Sequence, residues 1–267
     1  MIDDVVDALN GRTWPDYVHG QLGARVGDRV GPTLRPVVGA VVEPPGTVAL
    51  GASKLGGLPH VDGTFSWPTE EDSDEPLALV CQINLAEAGL ASSLLPKQGM
   101  LYLFSIYDCD RAYGYEIDET TTRVLHVPDP GPLAVAEAPA GLGEDGVLTE
   151  RRLMVAPSLI AERFDDETGA YHEQRFDYEV EKALDEAMVT LGGAPCGVVR
   201  MLGNAHLFRA ETRELLNEDE QGLLLYVSGW VVGRDAYGEG EFNVVIRYDD
   251  LAAGNLDRAE VLFEPGT

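Results

Sequence analysis

The stretch Ala52–Pro68 (ASKLGGLPHVDGTFSWP) concentrates side chains that could do chemistry. Lys54, beside Gly56 and Gly57, could bind an anion or move a proton, because a lysine pKa shifts readily once the ammonium is desolvated. His60 and Asp62 could place two metal ligands on one side of a strand, although no third ligand can be located. Gln82 and Asn84 also stand two residues apart, so on a strand they project to one face. Together with Lys54 and Trp67 they could line one polar pocket. The same residues also have a purely geometric reading. Gly56 and Gly57 allow backbone conformations closed to other residues, and Pro59 stiffens the exit of the turn. Lys54, Gln82 and Asn84 would then satisfy backbone carbonyls or a carboxylate, as buried polar groups commonly do. Spacing alone leaves both readings open.

Other chemistry is excluded by pattern. The P-loop signature GxxxxGK[ST] is absent, since Lys54 precedes its glycines instead of following them. Gly238-Glu239-Gly240 lacks the third glycine of a dinucleotide loop, and its glutamate would repel a pyrophosphate. His172-Glu173 has no second histidine at helical spacing. Asp108-Cys109-Asp110 opens like a calcium loop, but Tyr113 stands where glycine is required. No GxSxG occurs. Cys81, Cys109 and Cys196 are scattered, so neither a disulfide framework nor a zinc ribbon is expected. Cys81 lies in an apolar run and reads as an inert core residue. No catalytic residue, metal or cofactor is assigned, and the balance of residues is against an enzyme.

Charge narrows the partners. The chain has 46 Asp and Glu against 19 Lys and Arg, a formal net charge of -27. Such a surface repels nucleic-acid phosphates and anionic membranes. It favours a basic protein partner, cations, or plain solubility. The acidic opening MIDDVVDALN has no signal-peptide apolar run, and no stretch approaches transmembrane length, which points to the cytoplasm.

The elements that must position these residues follow from periodicity. At 267 residues with 45% hydrophobic and 24% charged, the chain fits one large domain. Apolar spacing predicts helices over Ile2–Leu9, Leu85–Leu90 and Phe176–Leu191. Residues 11–33 read as irregular. Strands are predicted over Leu34–Val42, Leu77–Ile83, Met100–Tyr107, Gly114–Ile117, Arg123–Val127, Leu133–Ala136 and Leu148–Val155. They continue over Val198–Leu202, Leu223–Gly229, Phe242–Tyr248 and Glu260–Phe263. The Pro- and Gly-rich turns between them predict an α+β fold, mostly antiparallel sheet with few helices. VCQINLAEAGL at 80–90 echoes VIRYDDLAAGNL at 245–256, which suggests an internally duplicated strand-turn-strand unit.

Four blocks then line up in order. They are Ser53-Lys54-Leu55-Gly56-Gly57 with Pro59, Trp67-Pro68, Gln82-Ile83-Asn84-Leu85, and Leu95-Pro96 with Gly99, Leu101 and Phe104. Looser blocks follow at Leu202-Gly203, Leu223-Leu224-Leu225, and Gly240 with Phe242, then Asp249-Asp250-Leu251. This pattern resembles the YwqG-like family, a bacterial domain of unknown function. The resemblance runs from about residue 50 to the C-terminus, with residues 1–50 weakly matched as a helix and lead-in, so the whole of 1–267 reads as one such domain. There are departures. Asn204-Ala205-His206 replaces the usual proline and glutamine after Leu-Gly, and Tyr226 replaces a polar residue. A site in the C-terminal half would be altered by them. The resemblance implies the same α+β fold and no established reaction. It also places relatives among bacterial loci that include toxin–immunity or stress modules, which implies a protein-binding role. The expectation is a non-enzymatic binding protein of immunity type with a basic protein partner. The alternative is a small-ligand-binding protein or enzyme using a pocket around Lys54.

Overall fold

The computed structural model describes residues 34–107, 117–161 and most of 182–265, all but 183, 184, 187, 190–192, 206, 208, 210, 211, 213, 218 and 219. The expected helix over Ile2–Leu9, most of that over Phe176–Leu191 and most of the strand over Gly114–Ile117 lie outside these residues, as do Cys109, His172 and His206.

The strands are β1 (Leu34–Pro45), β2 (Lys54–Leu55), β3 (His60–Val61), β4 (Ala78–Asn84), β5 (Met100–Ser105) and β6 (Thr122–Val127). They continue as β7 (Ala134–Val135), β8 (Arg151–Ala161), β9 (Val199–Met201), β10 (Gln221–Ser228), β11 (Glu241–Arg247) and β12 (Glu260–Glu264). Helices α1 (Leu85–Ala91), α2 (Gly229–Tyr237) and α3 (Tyr248–Ala253) connect them. Ten strands form one antiparallel sheet in the order β12-β11-β10-β9-β1-β8-β2-β4-β5-β6, while β3 and β7 pair separately. The edge strands β12 and β6 touch, so the sheet is nearly closed. The fold is α+β, mostly antiparallel.

The unbroken apolar runs of β4 and β5 are buried at almost every position. One face fills the sheet's interior. The other is covered by the 58–68 segment: Tyr102 donates its hydroxyl to the His60 carbonyl (2.7 Å), and Phe104 meets the rings of Phe65 and Trp67. β8 runs to Ala161, past the expected end at Val155. It does so through Pro157, which stands opposite Val38 of β1. β2 pairs with β8 only at Arg151 and Arg152, so Pro157 lies beyond the β2 ladder, where a missing N–H costs no sheet bond.

The duplication is present, but in a different register from the sequence echo. The succession β2–β4–α1–β5–β6 is matched by β9–β10–α2–β11–β12, placed symmetrically about the central β1–β8 pair. β4 bulges at Val80 and β10 at Leu224, and each bulge precedes a helix start by the same interval, Val80 to Leu85 and Leu224 to Gly229. Each bulge carbonyl accepts an amide from the preceding turn: Gly56 N–H to Val80 (3.0 Å) and Leu202 N–H to Leu224 (3.2 Å). β4 therefore corresponds to β10, not to β11. An apolar strand followed by a short acidic helix recurs by composition, whereas bulges and turn hydrogen bonds follow the backbone path.

Candidate functional site

Lys54 sits in a two-residue strand between β4 and β8, opposite Gln82 on one side and Arg152 on the other. Its side chain is fully buried. The ammonium donates to the Leu58 carbonyl (2.6 Å) and pairs with Glu150 Oε1 (2.6 Å). Glu150 is 28% exposed, so the pair is wet on one side only. Burial lowers the Lys54 pKa, and Glu150 partly restores it. Glu150 Oε2 also accepts the Val48 amide (3.3 Å).

His60 and Gln82 complete this centre. His60 Nδ1 accepts the Gly51 amide (3.0 Å), which places the ring proton on Nε2. Burial, and then the Lys54 charge, pull the His60 pKa down to about 4. Gln82 Oε1 accepts the His60 amide (2.8 Å), while Nε2 donates to the Ala52 carbonyl (2.8 Å). Asn84 caps α1 through Oδ1 (Ala86 N–H, 2.9 Å) and donates Nδ2 to the Gly51 carbonyl (2.8 Å). Beside it, Arg152 makes a bidentate pair with Glu87 and donates to the Ser53 carbonyl (2.7 Å).

The structure thus brings Lys54, Gln82 and Asn84 onto one loop, 51–60. Trp67 stands on a separate set of contacts: Nε1 donates to the Leu77 carbonyl (2.9 Å), and the ring meets Phe65 and Phe104 edge-on. Gly57 has φ +68°, and a Cβ there would lie 2.8 Å from Glu150 Oε1 and 2.9 Å from Lys54 Nζ. That glycine leaves the space the ion pair fills. Gly56, also left-handed, donates to the β4 bulge, and the Pro59 carbonyl accepts Ala136 N–H (2.9 Å). Asp62 closes its own turn onto Thr64 and Gly131 instead of joining His60. Among the described residues no three His, Cys, Asp or Glu are grouped to hold a metal ion, and no helix is long and apolar enough to cross a membrane. Burial pushes the Cys81 thiol up to about 12, far from a nucleophile's range.

The second half carries a counterpart that the sequence reading missed. Arg200 stands opposite Tyr226 as Lys54 stands opposite Gln82. Its Nη2 donates to the carbonyl of Asn204 (3.2 Å), four residues on, as Lys54 donates to Leu58. The guanidinium lies 4.1 Å over the Tyr226 ring, whose hydroxyl donates to Glu241 (2.7 Å). Arg200 is 6% exposed, its Nε is buried without a hydrogen-bond partner, and no carboxylate pairs with it among the described residues.

Beyond the 202–204 turn lies a cavity of about 360 Å³. Its walls are that turn, Gly222 and Leu223 of β10, and Tyr248, Leu251 and Ala252 of α3, with Leu94, Arg35 and Pro36 completing it. Leu202 is held at φ +69° and Gly203 at +93°. The turn is tied down by Leu202 N–H to Leu224 and Leu223 N–H to Gly203 (3.3 Å). A left-handed branched residue costs about 1–2 kcal/mol, so packing must enforce this shape. The loosely matching blocks Leu202-Gly203, Leu223–Leu225 and Asp249–Leu251 all fall at this cavity. That was its only sequence signal.

Comparison with known proteins agrees with this layout. No curated protein matches the chain. A family model described as "Domain of unknown function (DUF1963)" matches residues 53–264. The match spans both halves of the duplicated sheet, from the Lys54 turn through β12, and the chain therefore belongs to the DUF1963 family.

Proposed function

We propose that the protein is a non-enzymatic cytoplasmic binding protein whose partner is a basic protein. The observation that carries this reading is the distribution of charge. Acidic residues outnumber basic ones 46 to 19. Lys54, Arg123, Arg152, Arg247 and Arg258 are each already paired with a carboxylate. Asp72, Asp74 and Glu75, in one exposed loop, and Asp249 on α3 face solvent. A field of one sign speeds encounter with an oppositely charged partner and weakens as salt screens it. The polar centre at Lys54 supports the non-enzymatic part, because most of its donors and acceptors are spent on one another and on the backbone. An immunity protein that neutralises a basic toxin is one form of this reading, in line with the resemblance to the YwqG-like family.

The test is a pull-down from the native host at low and high salt. A basic protein retained at low salt and released at high salt is expected. Recovery of no partner at either salt, or of one indifferent to salt, counts against the reading. The cavity beside α3 favours a second reading, a small-ligand-binding protein whose ligand sits in the C-terminal half while Lys54 serves the fold.

A further inference from the structure

We propose that the cavity beside the 202–204 turn binds a small amphipathic carboxylate, and that Arg200 neutralises its acid end. The inference rests on the small-ligand reading and is independent of the basic partner. It starts from the two equivalent cations. Lys54 and Arg200 occupy matching positions, and each sends its head group to the carbonyl four residues on, beneath matching turns. Lys54 also meets Glu150. Arg200 meets two carbonyls, at 3.2 and 3.5 Å, and the face of Tyr226, and its Nε is left over. A buried charge without a counter-charge costs more than one with a hydrogen-bonded counter-charge. A chain this rich in carboxylates places none on Arg200 among the described residues, so an external acid fits the gap.

The cavity supplies room for the rest of such a ligand. Asn204, whose carbonyl accepts from Arg200, is itself a wall residue, so the guanidinium stands just behind the wall. Arg35 lines the cavity, and it shares a face of β1 with Gly39, which stands opposite Arg200. Leu223, Tyr248 and Leu251 offer an apolar surface to the body of the ligand. The volume is near the low end of small-molecule sites, about 300–1,000 Å³, which suits a short acyl or single-ring acid. The left-handed Leu202 is a strained hinge. Relief of that strain favours a small shift of the turn, by which the acid replaces the Asn204 carbonyl on Arg200.

Calorimetric titration of the intact protein with octanoate and benzoate, and with 1-octanol and benzyl alcohol as uncharged counterparts, tests this. At least one acid should bind about tenfold or more tighter than its alcohol. Arg200→Met should abolish that preference. Ala252→Trp, at an exposed position on α3, should fill the cavity and weaken the acid about tenfold. Equal binding of acid and alcohol overturns the proposal, as does binding of neither acid, or a preference that survives Arg200→Met. Should Arg200→Met fail to fold, the acid–alcohol comparison on the unaltered protein and the Ala252→Trp variant still decide it. The outcome is separate from the pull-down: a salt-sensitive basic partner can be found whether or not the acids bind.

Discussion

The Lys54 centre and the Arg200 centre are built on the same backbone plan and end in opposite states. Each places a cation opposite a β-bulged strand, under a turn of left-handed residues that donates to the bulge carbonyl. In the first half the turn is Gly56-Gly57, and the space glycine leaves is taken by Glu150. His60 and Gln82 bond to each other and to the loop backbone beside it. In the second half the turn is Leu202-Gly203, the cation stacks on an aromatic ring, and a cavity opens beside it. One frame can therefore close over a polar network or leave a cavity beside it. The difference lies in whether a counter-charge arrives from the protein itself.

Removal of each cation breaks that comparison most directly. Lys54→Ala leaves Glu150 half-buried without its partner and should cost about 3–5 kcal/mol. Arg200→Met removes a charge that has no carboxylate partner among the described residues and should stay within about 1 kcal/mol, the lost ring contact offsetting the relieved desolvation. Urea unfolding of both variants measures this, and equal losses would erase the distinction. Acidification is the next largest effect. Folded His60 titrates near 4 against 6.5 when unfolded, so between those values the unfolded chain binds the extra proton. Stability should therefore be intact above pH 6.5 and fall as the pH drops towards 4, by on the order of 3 kcal/mol. His60→Asn, whose side-chain oxygen can accept the Gly51 amide, should flatten stability across that window in denaturation at stepped pH.

The turns give a smaller contrast. Gly57→Ala meets both a positive φ and the ion pair and should lose about 2–3 kcal/mol. At Gly203 a Cβ would approach Val37 Cγ1 at 3.0 Å, a contact that side chain can partly yield, so Gly203→Ala should cost about 1–2 kcal/mol. Thermal unfolding ranks the two, and a larger loss at Gly203 would mean that the second turn is the tighter one. Ala252→Trp should change stability by no more than about 0.5 kcal/mol, because the position is exposed. Its effect should appear in ligand titration alone.

Much of this was legible beforehand. The runs LALVCQI and MLYLFSIY announced strands buried on both faces, and the structure places β4 and β5 there. The helix expected over Leu85–Leu90 forms as α1, and the cap that Asn84 provides for it emerged only in the structure. Lys54, Trp67, Gln82 and Asn84 were singled out together as one pocket; Gln82 and Asn84 of β4 bond to the 51–60 loop that holds Lys54, while Trp67 packs elsewhere. Glu150 was not legible. It lies 96 residues from Lys54 and is one of many acids with nothing local to distinguish it. Arg200 was missed for the same kind of reason: its stacking on Tyr226 needs two strands to be adjacent. The true register of the duplication was also hidden, because a bulge leaves little trace in composition.

By itself, then, the sequence determined most of the longer strands but not the two-residue β2 and β3, together with the antiparallel α+β class, the acidic charge balance and the glycines that only tight turns require. These depend on local propensity, period-two burial and charge, all of which are carried by neighbouring residues. Only the tertiary structure decided that Lys54 is enclosed with Glu150, that Arg200 is buried with no carboxylate on it among the described residues, and that a cavity opens beside the 202–204 turn. Those outcomes depend on which distant charges meet after β2 and β9 are drawn against the central β1–β8 pair, and pairing at such separations leaves no pattern along the chain.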